Sequence, residues 1–273
     1  MAGRPLIRTK GPKEGQCNIC GAAGALTEDH SPPKLCVRPT AVQVRHIITM
    51  LASKDIQEKG RISQNGLKFR TLCARCNNKV LGRWYDPALA EFTNSASVIL
   101  SSCLTLPRVI AVPGRPQLIM RAVWGHLAAQ GVDRYLKGPE TDTFRDWFLD
   151  KSSPLPEKVR FYYWSFPHQG CVLFRDAAYL HIPSGRVAAI WLMKFFPISF
   201  LIAFEKDENP MFALPSLSEW SDRSPDEQVE LPLHLTGIPN RYWPEAPTKQ
   251  SMVVYGQEAM FTVPHVAGAR GRG

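Results

Sequence analysis

Gln16-Cys17-Asn18-Ile19-Cys20-Gly21 and Leu72-Cys73-Ala74-Arg75-Cys76-Asn77 are the two stretches that decide how the N-terminal third of this chain folds. Each places two residues between a pair of cysteines. That spacing lets both thiolates of a tight turn point at one ion, and two such turns complete a tetrahedral site. A four-thiolate set suits zinc, which adds no redox chemistry. Four unrelated core cysteines or a dithiol redox pair are the competing readings. Two paired spacings, each in Gly- or Asn-bearing turn sequence, favour the metal. Cys36, Cys103 and Cys171 stand outside such pairs and read as small buried hydrophobes.

The chain has 273 residues and a formal net charge of +9, enough length for one large core or two modest ones. A hydrophobic content of 44% argues against wholesale disorder. Residues 1–92 carry 15 Lys and Arg against 7 Asp and Glu, out of chain totals of 33 and 24. Nearly all the positive excess therefore lies on the segment that holds the cysteine pairs. A localised basic excess is the footprint of a polyanion partner; a merely soluble basic surface is the alternative. The polar, basic start after Met1 lacks the apolar region of a secretory signal. Val187–Phe204 is apolar enough to suggest a membrane span, but Lys194 sits at its centre and Pro197 follows. Two buried strands broken near Lys194–Pro197 are expected instead, with no membrane partner. A cytoplasmic location is expected, where cysteines stay reduced.

Five segments follow from composition: a basic tail over 1–15, the cysteine-bearing segment 16–92, a helical segment 93–151, a β-rich domain 152–267 and a disordered tail 268–273. Asp86 as N-cap and Pro87 at the first helical position open one helix. Further helices are expected over Gln117–Gly131 and Thr141–Leu149, and an inserted one over Ala41–Gln57. Val159–Phe166, Cys171–Phe174, Ala178–Ile182 and Val187–Phe204 have strand chemistry, with a hairpin turn at Pro183-Ser184-Gly185. The aromatics Phe161 to Phe166 fit an alternating strand better than a base-stacking platform. His126, His168, His181, His234 and His265 show no ligand-like spacing and read as ordinary.

Between the cysteine pairs stands Thr27-Glu28-Asp29-His30-Ser31-Pro32-Pro33-Lys34, and the second pair runs on as Asn77-Asn78-Lys79-Val80-Leu81-Gly82. With these motifs the segment Gln16–Phe92 resembles the HNH endonuclease family. The relevant branch reads Glu/Asp-His-x-Pro-Pro-Lys and Cys-x-x-Cys-Asn. The resemblance implies an α+β fold: an N-terminal ββα-metal finger with a structural zinc on Cys17, Cys20, Cys73 and Cys76, then the helical segment and the β-rich C-terminal domain. It also implies a distorted first strand that lets Asp29 and His30 serve one centre.

Hydrolysis of a phosphodiester needs a base for water and a cation for the leaving oxygen. By the resemblance His30 is the general base, and Asp29 and Asn77 ligate a catalytic Mg²⁺ or Mn²⁺, hard cations that favour oxygen donors. The family's bracing Asn stands shortly before the second cysteine pair; the nearest here is Asn65, farther upstream. Lys34, Arg38, Arg75, Lys79 and Arg83, together with Arg45, Lys68 and Arg70, are the candidates for phosphate contacts. Glu28 is expected to face solvent. The implied function is metal-dependent endonucleolytic cleavage of DNA, in a setting such as restriction or phage defence. The C-terminal domain would then serve recognition, homo-oligomerisation or an activating partner. A non-catalytic zinc-ribbon nucleic-acid adaptor is the alternative, and a subunit merely stapled by zinc a third reading.

Overall fold

Alternating side chains and long apolar runs after Val159 build the largest element of the protein, an eight-stranded antiparallel sheet. The computed structural model describes residues 7–51, 60–135, 138–205 and 209–265. In chain order the strands are β1 (Glu14–Gln16), β2 (Ala23–His30), β3 (Val42–His46), β4 (Arg61–Ser63), β5 (Lys68–Cys73), β6 (Val109–Gly114) and β7 (Val159–Ser165). They continue with β8 (Cys171–His181), β9 (Arg186–Phe195), β10 (Ile198–Phe204), β11 (Val229–His234), β12 (Ser251–Val254) and β13 (Met260–Pro264). The helices are α1 (Ile47–Leu51), α2 (Asp86–Leu100), α3 (Pro116–Ala128) and α4 (Pro139–Leu149). A π-helix over Arg75–Tyr85 runs directly into α2.

The large sheet is ordered β4-β3-β13-β8-β9-β10-β7, with β12 paired to the far end of β8. Both faces are covered. Phe161, Tyr163, Trp191, Met193, Phe200 and Ile202 pack with the helices α2 and α3. The alternate residues Tyr162, Trp164, Ile190, Leu192 and Leu201 pack with Phe212, Val253 and Phe261 on the other side. Burial on both faces explains why β7 and β10 read as nearly unbroken apolar runs. Val187–Phe204 forms two strands, β9 and β10, that turn at Phe196–Pro197. Among the described residues no helix is long and apolar enough to cross a membrane. Cys171–Phe174 and Ala178–Ile182 are largely one strand, β8, whose pairing with β9 is irregular between Phe174 and Ala177.

Two smaller sheets complete the α+β architecture. One is β1-β2-β5 and carries the cysteine pairs; the other is β11-β6. The helices expected over Gln117–Gly131 and Thr141–Leu149 form as α3 and α4. Asp86 is the first residue of α2 rather than its cap, which is Tyr85, because the Asp86 carboxylate bonds an interior histidine instead.

The inserted helix expected over Ala41–Gln57 is corrected: Val42–His46 is strand β3, and only Ile47–Leu51 is helical, with 52–59 outside the described residues. Val42-Gln43-Val44-Arg45-His46 alternates β-branched and polar side chains, and Val44 and His46 are buried. Strand β3 pairs with β13, the last strand of the chain. The cysteine-bearing segment is thus sewn into the large sheet, and the division expected after Phe92 falls inside α2. The tail 268–273 and residues 1–6 lie outside the described residues.

Lys194, at the centre of the apolar run, is fully buried and so is Glu245. Its ammonium donates to Glu245 Oε1 at 2.7 Å and Oε2 at 3.0 Å, and to the carbonyls of Arg241 at 2.7 Å and Trp243 at 2.9 Å. Burial pulls the lysine down from its ordinary pKa and pushes the glutamate up, while each charge opposes that trend in the other. Removing one partner leaves the other charge buried alone. Lys194→Ala is therefore expected to cost about 3–5 kcal/mol in chemical denaturation, and Lys194→Met combined with Glu245→Leu to recover most of it. Equal unfolding midpoints for Lys194→Ala and the parent protein would show that the pair does not hold the 241–245 segment.

Candidate metal centre and active site

Cys17 follows β1, Cys73 ends β5 and Cys76 lies one residue into the π-helix. The first turn is closed by Gly21 N–H donating to Cys17 O at 2.9 Å and Cys17 N–H donating to Ala22 O at 3.0 Å. Gly21 has φ +72°, and a Cβ there would stand 2.3 Å from the Tyr135 ring, so glycine is required on both counts. The sulfurs of Cys17, Cys20, Cys73 and Cys76 all lie within 4.8 Å of one another, with Cys20 and Cys73 at 3.6 Å. That is close enough for all four to hold one metal ion. Thiol hydrogen bonds from Cys17 and then Cys76 hold Cys20 far below the ordinary thiol range. The same crowding pushes Cys17 up to about 11, chiefly through Cys20, and drives Cys76 higher still, chiefly through Cys17. Four sulfurs so close resist ionising together until a cation offsets their charge. Cys36, Cys103 and Cys171 are outside this cluster; Cys171 is buried as expected, but Cys36 is half-buried and Cys103, just past the end of α2, is exposed.

The register of β2 against β5 shifts between Thr27 and Glu28, opposite Leu72 and Arg70. Beyond that irregularity the next side chains diverge. Glu28 does not simply face solvent. It accepts from Lys68 Nζ at 2.6 Å and Arg70 Nη2 at 2.9 Å, and those cations, Lys68 first, hold its carboxyl below the ordinary range. Asp29 is 3% exposed. Its Oδ2 accepts from Ser31 Oγ at 3.0 Å and lies 3.0 Å from His126 Nδ1. The other ring nitrogen of His126, Nε2, lies 2.8 Å from Asp86 Oδ1. Burial, the largest single influence, disfavours charge on His126, but the carboxylates of Asp29 and Asp86 together outweigh it and push the ring up to about 10. Oδ1 of Asp29 makes no hydrogen bond among the described residues.

His30, at the end of β2, turns elsewhere. Burial, followed by the charge of Lys34, lowers its pKa, while the Asp29 charge and the nearby main chain of Asn65 oppose that shift. Nε2 is buried and has no hydrogen-bond partner among the described residues. Gly66 (φ +68°) lets the chain pass so close that a Cβ would sit 3.8 Å from His30 Cδ2. The ring borders a cavity of about 370 Å³, shared with Pro32, Cys36, Arg38, Gly66 and Phe195. Asn77 donates from Nδ2 to Thr27 Oγ1 at 2.9 Å and to Glu28 O at 3.1 Å, which straps the π-helix to β2. Its Oδ1 makes no hydrogen bond among the described residues.

Asp29, His30 and Asn77 thus sit on one strand end and the facing helix, but they make no hydrogen bonds to one another. Lys34, Arg38, Arg75, Lys79 and Arg83 are all exposed, the last three at intervals of four along the π-helix. Lys68 and Arg70 are engaged by Glu28. Phe161, Tyr162, Tyr163 and Trp164 are buried strand residues.

His126 was legible only as an ordinary histidine and is the correction that matters most here. It stands 97 residues from Asp29 and 40 from Asp86, so no local spacing marks it. One signal was available: it lies on a helix whose every residue is buried, where a polar side chain must find partners. Neither a protein-family model, nor a curated protein, nor a solved structure matches the chain.

Elemental analysis of the purified chain is expected to find zinc at about one ion per molecule, as a four-thiolate site predicts. Cys76→Ser should lose that zinc and lower the melting temperature, and strong chelators should do the same to the parent protein. Full zinc content in Cys76→Ser would remove the cysteine from the ligand set.

Proposed function

We propose that the chain is a metal-dependent endonuclease of the HNH type, cutting DNA with a ββα unit made of β2, β5 and the π-helix around a structural zinc. The observation that carries the reading is His30. The imidazole is half-buried, borders a cavity, keeps an unpartnered Nε2 and is held toward its basic form by burial and by the Lys34 charge. That nitrogen would take the proton from the attacking water.

Asp29 and Asn77 support the same reading, because each anchors one side-chain atom and leaves an oxygen free. Asp29 Oδ1 and Asn77 Oδ1 are hard donors and would hold Mg²⁺ or Mn²⁺. When bound, such an ion supplies charge stabilisation at the leaving oxygen. The exposed Arg75, Lys79 and Arg83 stripe, with Lys34 and Arg38, would track phosphates. Recognition, self-association or activation would fall to the large sheet and its loops, in a role such as restriction or phage defence. One observation favours the adaptor instead: Asp29 spends Oδ2 on an interior network, as a purely structural residue would.

Plasmid DNA incubated with the protein and Mg²⁺ or Mn²⁺ distinguishes the two. His30→Ala is expected to lower cleavage about 10²–10⁴-fold while keeping its zinc and its salt-dependent DNA binding. Equal cleavage by both proteins, or none by either across metals and DNA forms, would leave the adaptor.

A further inference from the structure

We infer that His126, backed by Asp86, is a positioning residue that turns the Asp29 carboxylate so that its Oδ1 faces a divalent cation; the inference rests on the proposed nuclease reading. The chemistry of the triad points this way. Carboxylates only accept hydrogen bonds, and both ring nitrogens of His126 lie within 3.0 Å of one. His126 therefore spans Asp29 Oδ2 on one edge and Asp86 Oδ1 on the other, at 3.0 and 2.8 Å.

Ser31 Oγ donates to the same Oδ2, 3.0 Å away. Two contacts on one oxygen fix the rotation of the carboxylate, and its other oxygen is the one without a partner among the described residues. Asp86 is itself fixed at the junction of the π-helix and α2, its N–H bonded to the Leu81 carbonyl. His126 is held on the other side by α3, which is buried along its whole length.

A structural purpose alone does not call for this arrangement. Three ionisable groups lose water here, and apolar side chains of the same volume would often pack at least as stably. What an apolar trio cannot do is orient a carboxylate. Hydrogen-bonded partners behind a ligating carboxylate characteristically set its direction and affinity. The triad also assigns α3, which lies beyond the cysteine-bearing segment, a part in completing the site.

The test measures Mn²⁺ binding by the loss of the free-ion electron paramagnetic resonance signal, on the full chain with zinc bound. His126→Gln removes the bridge; Asp86→Asn keeps the shape and removes a charge, and serves if the first variant fails to fold. Circular dichroism and zinc content report folding. Mn²⁺ affinity is expected to fall about 10- to 100-fold in folded variants, with more loss in His126→Gln than in Asp86→Asn. Parent-like Mn²⁺ affinity in folded variants, with or without a lower melting temperature, would overturn the inference and leave the nuclease reading standing. A parent protein that neither binds Mn²⁺ nor cleaves DNA would overturn both.

Discussion

Four sulfur atoms confined within 4.8 Å of one another are the constraint on which the N-terminal half is built. The sheet they clamp has only three strands, and β1 contributes three residues to it. A sheet so small buries too little apolar surface to define itself. Joining Cys17 and Cys20 to Cys73 and Cys76 closes the long excursion between them. It also sets the start of the π-helix against the end of β5. Strand β2 is held between those two points, and Asn77 ties the helix to it through the Thr27 hydroxyl and the Glu28 carbonyl.

The rest of the protein is a platform for that clamp. The eight-stranded sheet is buried on both faces and carries its own polar fastener in Lys194 and Glu245. It reaches the cysteine-bearing segment twice. Strand β3, drawn from between Asp29-His30 and Cys73, pairs with β13, and the residues around His30 close over Phe195 of β9 and Gly170, the residue before β8, to line a shared cavity. The side chain on the end of β2 is thereby enclosed by parts of the chain that are remote in sequence, which is why its Nε2 is buried rather than bathed in water.

Adjacent residues on a strand face opposite ways, and Asp29 and His30 illustrate the consequence. Asp29 points inward to a bridging imidazole and His30 to a cavity bordered by Gly66 and Phe195. The two carry different electrostatic burdens: the His126 ring between Asp29 and Asp86 is pushed toward its charged form, whereas His30 is held toward its neutral one. Burial and the sign of the neighbouring charges thus shift two histidines of one protein in opposite directions.

Cysteine spacing, apolar periodicity and the Asp29-His30 pair were legible before any fold was known, because each is a short-range pattern. Two residues between thiolates suffice to predict a metal knuckle, and an apolar run broken near Lys194–Pro197 suffices to predict paired strands. The tertiary structure alone decided three other matters. It made Val42–His46 a strand of the large sheet, placed Gly66 and Phe195 around the cavity that His30 borders, and brought His126 between Asp29 and Asp86. Those pairings join residues tens of positions apart. They depend on how whole elements pack and on which buried polar groups must find partners, and no local spacing encodes that.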